Sequence, residues 1–373
     1  MNLRNNLTKS GLIMEKKHWN KRLATRRKTG VKKTLTRFGA IEIAKTNSFS
    51  EAVNGFQISP YMQEKMVYAG QTDSYNQCNE ILSVFLLADV SVTQTQRVLN
   101  TYGNLIEEER AKPVVEQPKK ERISKKEVVY AQVDGGMIFT REEGWSEVKV
   151  GRIFKASDCM KTGEERGWIK HSQYEAWLGG HKQFCNRFEQ QLDDYRSLKE
   201  RLVFVSDGAV WIKNWTEDAY PEATLILDWF HAKEHLCKFA ELYLPDKNKR
   251  DKWVEKQSDL LYESKVEKVI STLKKLKGLS TSQDEGREQL INYYTSNKKR
   301  MDYVKYRSIG AGIIGSGAIE AAHRNLVQKR MKLSGQRWKK KGAQNMLAIR
   351  VARLSNKWDK VVKLIATQPA KAA

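Results

Sequence analysis

The middle of the chain alternates between short apolar runs and longer mixed segments. Residues 128–133 form an apolar-rich run that leads into Asp134, and residues 202–206 form a second run that leads into Asp207. Each run has the length of a buried strand, and each aspartate is followed by glycine. The pattern therefore predicts two core strands, each ending at an acidic residue.

Further strands and helices are predicted around these two. Alternation of apolar and polar residues predicts strands over 137–140 and 147–154, and another apolar run predicts a strand over 223–227. Residues 172–199 and the segment that begins at Ala209 have helical patterns. The predicted order is three antiparallel strands, then helix, strand, helix and strand. This is an α/β fold with a ribonuclease-H-like mixed sheet.

The regions on either side of this core are predicted to be mainly helical. The segment 236–310 is charged and helical, so we interpret it as an insertion that divides the catalytic core into 125–235 and 311–373. Residues 39–124 are predicted to be a mainly helical DNA-binding region with a linker. A basic arm over 1–38 precedes it.

Two short helix-like runs in the N-terminal region predict a helix-turn-helix. Residues 79–88 and 93–102 are separated by a short polar turn. If this pair binds DNA, the second helix begins with Gln94, Gln96 and Arg97, whose side chains would reach base edges. Two helices that only pack together are the alternative.

The chain has 373 residues and a net charge of +23, and this charge is concentrated at both ends. Residues 1–38 contain 12 Lys and Arg against one acidic residue, and residues 311–373 contain 14 against two. The residues between them are neutral overall. This distribution is typical of a protein that binds a polyanion. DNA or RNA is favoured over an anionic membrane as the partner.

Cysteine usage and hydropathy indicate the cellular compartment of the protein. The four cysteines are widely spaced and include no Cys-x-x-Cys pair, which fits reduced thiols better than a disulfide framework. The apolar runs are too short to span a bilayer, and the basic N-terminus lacks the apolar stretch of a signal peptide. We expect a cytoplasmic, nucleoid-associated protein.

Three acidic residues occupy positions that a two-metal nuclease would require. Asp134 and Asp207 end predicted strands, and Glu320 lies in a helix-like segment that follows Gly315-Ser316-Gly317. Such carboxylates can converge on two divalent cations that activate water for phosphodiester cleavage. An Asp-Gly pair alone would indicate only a turn. Two such pairs with a later glutamate in a basic chain favour the site.

Four motifs resemble those of bacterial insertion-sequence transposases of the Mutator-like group. The motifs are Val133-Asp134-Gly135-Gly136, Ser206-Asp207-Gly208-Ala209, Leu227-Asp228-Trp229-Phe230-His231 and Gly317-Ala318-Ile319-Glu320. These transposases are DDE enzymes with a ribonuclease-H-like fold, and the resemblance covers about residues 125–360. It implies that Asp134, Asp207 and Glu320 are a catalytic triad that binds two Mg²⁺ or Mn²⁺ ions. It also implies double-stranded DNA partners, namely terminal inverted repeats and target DNA, and a homodimer or higher oligomer on DNA.

Asp228 and His231 are similar to an Asp-x-x-His pair that Mutator-like transposases carry beside the triad. The resemblance implies a catalytic role for His231 with support from Asp228. The alternative is a histidine at a helix start that Asp228 caps. A zinc site at His231, His235 and Cys237 lacks an evident fourth ligand and is disfavoured.

The region after Glu320 is basic. His323 and Arg324 follow Glu320 by three and four residues, so a helix would place them beside it as active-site support. Basic residues with one aromatic among them are predicted to bind DNA: Arg330, Lys332, Arg337, Trp338, Lys339, Lys340 and Lys341. A solvated helix face is the alternative. The Gly-x-Gly-x-x-Gly pattern over 310–315 does not follow a strand, so dinucleotide binding is disfavoured.

Together these features predict the DNA transposase of an insertion sequence. It would bind terminal inverted repeats and perform metal-dependent cleavage and strand transfer. A ribonuclease-H-like nuclease, or a non-catalytic DNA-binding protein derived from a transposase, is the alternative.

Overall fold

The computed structural model describes residues 31–36, 39–44, 55–56, 58–111, 126–162, 167–193 and 201–366. The chain divides into a smaller unit, Met1–Ile106 with Trp358–Ala373, and a larger unit, Glu107–Lys357. Most of the predicted basic arm, most of the linker and the end of the tail lie outside the described residues.

The elements are numbered in chain order. The strands are β1 (Val31–Thr36), β2 (Gly39–Ala44), β3 (Val129–Thr140), β4 (Gly144–Lys155), β5 (Cys159–Lys161), β6 (Gly167–Ile169), β7 (Gln173–Leu178), β8 (Leu202–Ser206) and β9 (Thr224–Leu227). The helices are α1 (Pro60–Gly70), α2 (Tyr75–Leu86), α3 (Val92–Ala111), α4 (His181–Leu192), α5 (Val210–Ala219), α6 (Trp229–Tyr243), α7 (Lys247–Tyr262), α8 (Val266–Lys274), α9 (Thr281–Asn297), α10 (Tyr303–Tyr306), α11 (Gly317–His323), α12 (Lys329–Met331), α13 (Lys340–Leu354) and α14 (Trp358–Ala366). A π-helical turn, Arg324–Gln328, joins α11 to α12.

The smaller unit contains the antiparallel pair β1–β2 and a group of helices. Helices α2 and α3 are the predicted pair, and their turn is held by Asn79. The Asn79 amide donates to the Val90 carbonyl (2.7 Å) and its oxygen accepts from the Thr95 hydroxyl (2.7 Å). Helix α14 packs on α1 through an edge-to-face contact between Tyr68 and Trp358. The strand β1 lies within the segment that was predicted to be only a basic arm.

A five-stranded mixed sheet forms the centre of the larger unit. Its order is β7-β4-β3-β8-β9, with β7, β4 and β3 antiparallel and with β3, β8 and β9 parallel. Apolar side chains cover both faces of the central strand. Tyr130 packs on one face with residues from α6 to α10, and Val129, Ala131 and Val133 pack on the other with Phe184. This double burial accounts for the nearly continuous apolar runs of β3 and β8.

The three antiparallel strands differ from the predicted ones. Residues 128–133 and 137–140 form one continuous strand, β3, so Asp134 lies inside a strand and not at its end. The third strand is β7, within the segment 172–199 that was predicted to be helical; only α4 is helical there. The ladder with β4 selects the extended form of β7 over its local helical pattern.

The segment predicted to be a helical insertion is helical. Helices α6 to α10 occupy residues 229–306 and begin directly after β9. Helix α14, predicted to be part of the catalytic core, groups with the smaller unit. None of the helices in the described part of the chain combines the length and apolar composition that a membrane span requires.

Candidate active site

The two aspartates lie at equivalent positions just beyond the ladder between two neighbouring parallel strands. The ladder between β3 and β8 ends at the pair Gln132 and Val205, and each aspartate lies two residues further along the chain from its member of that pair. Asp134 stays paired with Val150 of β4, whereas Asp207 begins the loop after β8. Parallel strands bring their equivalent ends to one sheet edge, so the topology places these two carboxylates together.

The charge state of Asp134 records this proximity. Burial raises the pKa of the Asp134 carboxyl above its ordinary value, and the neighbouring carboxylate of Asp207 raises it further. The imidazole of His323, the backbone amide of Gly135 and His231 act in the opposite direction. Two adjacent carboxylates in a partly buried site form a strong electrostatic attraction for a cation.

Asp207 is held by the loop that follows β8. One of its carboxylate oxygens accepts a hydrogen bond from the Ala209 amide (3.0 Å), and its carbonyl accepts one from the Tyr293 hydroxyl (3.1 Å). Gly208 has a φ of +92°, and a Cβ there would lie 2.9 Å from Leu227. Glycine is therefore required for the turn that orients Asp207.

His323 packs directly against the strand that carries Asp134. Its Nε2 lies 3.5 Å from an Asp134 carboxylate oxygen, close enough for an ion pair when the imidazole is protonated. Its ring lies over Gly136, where a Cβ would come within 2.8 Å of two ring atoms. The second glycine of the Asp-Gly-Gly motif therefore makes room for this histidine within an extended strand.

The helix that carries Glu320 is attached to the central sheet by two buried polar side chains. The Gln132 amide donates to the Gly315 carbonyl (3.0 Å), and its oxygen accepts from the Ile319 amide (2.9 Å). Arg152 of β4 donates to the Ala318 carbonyl (2.7 Å). These bonds fix α11 beside the strand that carries Asp134.

Glu320 itself is exposed and bonded within its own helix. Its carboxylate accepts a hydrogen bond from the Ser316 hydroxyl (2.8 Å), and Ser316 also lies close enough to Asp228 to lower the pKa of that carboxyl. Within the ranges that the structure describes, no three His, Cys, Asp or Glu side chains lie close enough together to hold one metal ion. The structure thus brings Asp134 and Asp207 together and places Glu320 on the helix that contacts Asp134 through His323.

Asp228 connects β9, β8 and α6. It is fully buried, its amide donates to the Ser206 carbonyl (2.8 Å), and its carboxylate caps α6 by accepting from the Phe230 amide (2.8 Å). Burial raises the pKa of Asp228, and its hydrogen bonds to Ser316 and Phe230 counteract this shift. The predicted cap is therefore present.

His231 follows Asp228 on the first turn of α6 and remains accessible. Its side chain is 38% exposed, and its Nε2 lies 3.8 Å from Asp228. Its Nδ1 lies 3.3 Å from Glu234. The charge of a protonated His231 lowers the pKa of the Asp134 carboxyl slightly, against the larger effect of burial. His231 is thus not a buried core histidine.

Comparison with known proteins shows the family of the chain. A family model described as an uncharacterised protein family, UPF0236, matches residues 17–366. The chain belongs to this family. No curated protein matches it. The match spans residues of both units.

The predicted base-reading residues of this UPF0236 chain lie near the start of α3. Gln94, Gln96 and Arg97 are exposed, whereas Thr95 between them is buried against α2. The first turns of α3 therefore present these three side chains to solvent, as a recognition helix would.

The basic segment after α11 divides into outward and inward residues. Lys332, Arg337, Lys339 and Lys341 are exposed, Lys340 is partly exposed and pairs with Glu143, and Arg324 is exposed beyond the last turn of α11. Arg330 was predicted to bind DNA, but it is 1% exposed. Its guanidinium stacks on Trp338 (5.2 Å), which makes it a packing residue.

Trp338 likewise has a packing role in this UPF0236 chain. Its indole donates to the Met331 carbonyl (3.1 Å), and its backbone pairs with the end of β3 through Phe139 and Arg141. The ring remains partly exposed, and the stacking of Trp338 on DNA stays a prediction.

Sequence reasoning missed the residues that hold the site together. One indication of Gln132 and Arg152 was present in the sequence, because each is a polar residue within a strand-like run and should therefore have a polar partner. Their partners lie more than 160 residues away, so the sequence pattern did not reveal what they bind. Ser316 appeared in the Gly-Ser-Gly segment, but its position beside Asp228 and Glu320 depends on the tertiary fold.

Proposed function

We propose that this chain is a DNA transposase of the DDE type with a ribonuclease-H-like catalytic core. The observation that carries the proposal is the pair Asp134 and Asp207, each two residues beyond the last pair of the parallel β3–β8 ladder, with the Asp207 carboxylate close enough to raise the pKa of Asp134. Two-metal phosphoryl transfer to water or to a DNA 3′-OH requires several carboxylate oxygens at one point, where they can bind the metal ions.

The sheet topology supports the proposed fold. The first strand of the core, β3, is central and antiparallel to the second, β4, which is followed outward by the third, β7. The fourth and fifth strands, β8 and β9, add in parallel on the other side of β3. This is the strand order expected for a ribonuclease-H-like sheet, and the helical insertion falls between its last strand and the helix of Glu320.

The donor set fits Mg²⁺ or Mn²⁺, because both ions prefer carboxylate oxygens. Asp134, Asp207 and Glu320 would hold two such ions, for which the Glu320 carboxylate would leave Ser316. When bound, the ions supply the activation of water and the stabilisation of the leaving oxygen. His323 orients the Asp134 carboxylate, and Gln132 with Arg152 holds α11 at the sheet.

The DNA partners would be terminal inverted repeats and target DNA. The exposed start of α3 supports base recognition, and the exposed lysines and Arg337 after α12 support phosphate contacts. Cleavage and joining of two element ends would require at least two copies of the chain, so we propose a homodimer or higher oligomer on DNA.

The proposal is tested with the full chain and a duplex that contains the end of the element next to the gene. Strand cleavage and joining to a supercoiled plasmid are measured with Mg²⁺ or Mn²⁺, for the wild type and for Asp134→Asn. Asp218→Asn is the matched control, because Asp218 is an exposed aspartate on α5. We expect cleavage and joining by the wild type and the control and neither by Asp134→Asn.

The other outcomes separate the alternatives. Cleavage without joining would indicate a nuclease of the same fold. Specific binding of the duplex without cleavage would indicate a non-catalytic DNA-binding protein. Cleavage that survives Asp134→Asn would remove the aspartate pair from the reaction.

A further inference from the structure

A cleft lies beside the tip of the β3–β4 hairpin, beyond the aspartate pair. Phe139 and Trp145 face each other across this hairpin, and the segment around Met331 and Leu333 closes the other side. The cleft has a volume of about 290 Å³. This is near the lower end of the volumes of small-ligand sites, about 300–1,000 Å³.

The cleft is built by hydrogen bonds that fix its two sides. The Trp338 amide donates to the Phe139 carbonyl (3.0 Å), and the Arg141 amide donates to the Trp338 carbonyl (2.8 Å). The Trp338 indole donates to the Met331 carbonyl, which closes the loop between α12 and α13. A site fixed in this way would require little rearrangement on binding.

The aromatic side chains of the cleft are accessible to a flat ligand. Trp145 is a large hydrophobic side chain, yet it is 63% exposed. Its ring meets Phe139 edge to face at 5.6 Å, and the Arg337 guanidinium lies 5.7 Å from the centre of the Phe139 ring. Exposed aromatic rings beside a planar cation are suited to stacking with another aromatic ring.

The charge around the cleft selects an anionic ligand. Lys332 and Arg337 line it and are exposed. The two acids of the hairpin turn, Glu142 and Glu143, are bonded to the backbone amide and the ammonium of Lys340. The ligand is therefore expected to be both aromatic and negatively charged, as a nucleotide unit is. The faces of a base inside a duplex are covered by its neighbours, so the base must be unpaired.

We propose that this aromatic cleft binds one unpaired base of a DNA strand, stacked on Trp145, with adjacent phosphates at Lys332 and Arg337. The proposal rests on the proposed function, because it assumes that DNA is the substrate. Trp145 would be a positioning residue that holds a strand opened near the cleavage site.

The test uses the full chain in EDTA, so that binding is measured without cleavage. The chain has ten tryptophans, so the optical probe is placed in the DNA as 2-aminopurine, whose fluorescence falls when it stacks. Affinities are measured for a single-stranded oligonucleotide with a central 2-aminopurine and for the same sequence as a duplex. The proteins are the wild type, Trp145→Ala, Trp145→Phe and Trp168→Ala. Trp168 is the matched control because it is 52% exposed and does not line the cleft.

We expect Trp145→Ala to weaken single-strand binding by about fivefold or more, as for loss of one base stacked on an aromatic ring. We also expect it to remove the quenching of 2-aminopurine. Trp145→Phe should retain most of both signals, Trp168→Ala should match the wild type, and duplex affinity should not change.

Two outcomes would overturn the inference. If Trp145→Ala binds and quenches the single strand as the wild type does, the aromatic cleft does not hold a base, and the proposed function is unaffected. If the wild type binds neither form of DNA, the inference and the proposed function both fail. Melting curves for all four proteins identify any loss of folding.

Discussion

The sheet-borne aspartates and the helix-borne glutamate of the candidate active site are held in different ways. Asp134 lies on β3 and Asp207 follows directly after β8, so the pairing of these two strands of the central sheet brings the aspartates together. Glu320 is exposed on a short helix whose position depends on the side chains of Gln132 and Arg152. Two ligands of the proposed metal site are therefore preset by the sheet, and the third depends on how a separate element is docked.

The largest expected effect is loss of chemistry on neutralising any of the three acids. Asp134→Asn, Asp207→Asn and Glu320→Gln should each reduce metal-dependent cleavage below detection while leaving DNA binding intact. Each change removes a charged ligand with little change in volume. Cleavage and gel-shift assays on the same samples measure this, and retained cleavage in one variant would exclude that residue from the site.

The melting temperature should respond differently to changes at the sheet-borne Asp134 and at the helix-borne Glu320. Burial raises the pKa of Asp134, so its carboxyl stabilises the fold when protonated. That contribution is complete below the unfolded value of about 3.8 and is lost as the pH rises through the folded pKa. At pH 7 in EDTA, Asp134→Asn should therefore melt higher than the wild type, with the difference vanishing below about pH 4. Glu320→Gln should melt like the wild type, because Glu320 is exposed.

The docking of α11 should depend on Gln132. Gln132→Leu leaves the Gly315 carbonyl and the Ile319 amide without their partner, at about 1–3 kcal/mol of unfolding free energy each. We expect a lower melting temperature. We also expect about a tenfold or greater loss of cleavage per folded molecule, because α11 would lose its fixed position and an increase of about 1.4 kcal/mol in activation free energy lowers a rate tenfold.

The matched control for this variant is Gln63→Leu. Gln63 is also a buried glutamine, bonded to Ile58 and Tyr102 in the smaller unit. The Gln63→Leu variant should have a lower melting temperature but an unchanged cleavage rate on saturating DNA. Equal cleavage losses in the two variants would mean that the effect is general destabilisation and not the position of α11.

His231→Ala should reduce cleavage by about tenfold without unfolding the chain. This effect is smaller than the rate loss of about 10²–10⁴-fold that follows removal of a general acid or base. Its pairs with Asp228 and Glu234 are partly exposed, and such pairs contribute about 0–1 kcal/mol. His171→Ala is the control, because His171 forms an exposed pair with Asp158. A lower melting temperature with normal cleavage would assign His231 to the fold alone.

The smallest expected effect concerns Ser316. Ser316→Ala frees the Glu320 carboxylate from a hydrogen bond worth about 1 kcal/mol. The metal concentration for half-maximal cleavage should therefore fall, by about fivefold at most. A metal titration measures this, and a rise in the required concentration would show that Ser316 holds Glu320 in its metal-binding position.

The sequence was most informative where local pattern and tertiary structure agree. The run 202–206 is β8, and residues 224–227 of the next predicted run form β9, because both are buried strands of apolar residues. The helix pair α2–α3 and the helical insertion also have the predicted character.

The errors occurred where distant contacts decide the structure. Gly135-Gly136 has the composition of a turn, but the strand continues because both glycines pair with β4, and the ring of His323 packs on Gly136 from 187 residues away. In β7, the charged residue Glu175 faces inward and interrupts the alternation of apolar and polar residues that would indicate a strand. That carboxylate is buried because Arg187 and Arg110 pair with it. Neither partner can be identified from the local sequence.

The close packing of Gly136 under His323 has a consequence for mutational scans of this chain. A side chain at position 136 would push the imidazole of His323 away from its place beside Asp134. Alanine at this position should therefore lower activity, although glycine contributes no functional group. A scan of single substitutions, interpreted without the structure, would assign Gly136 to the catalytic residues.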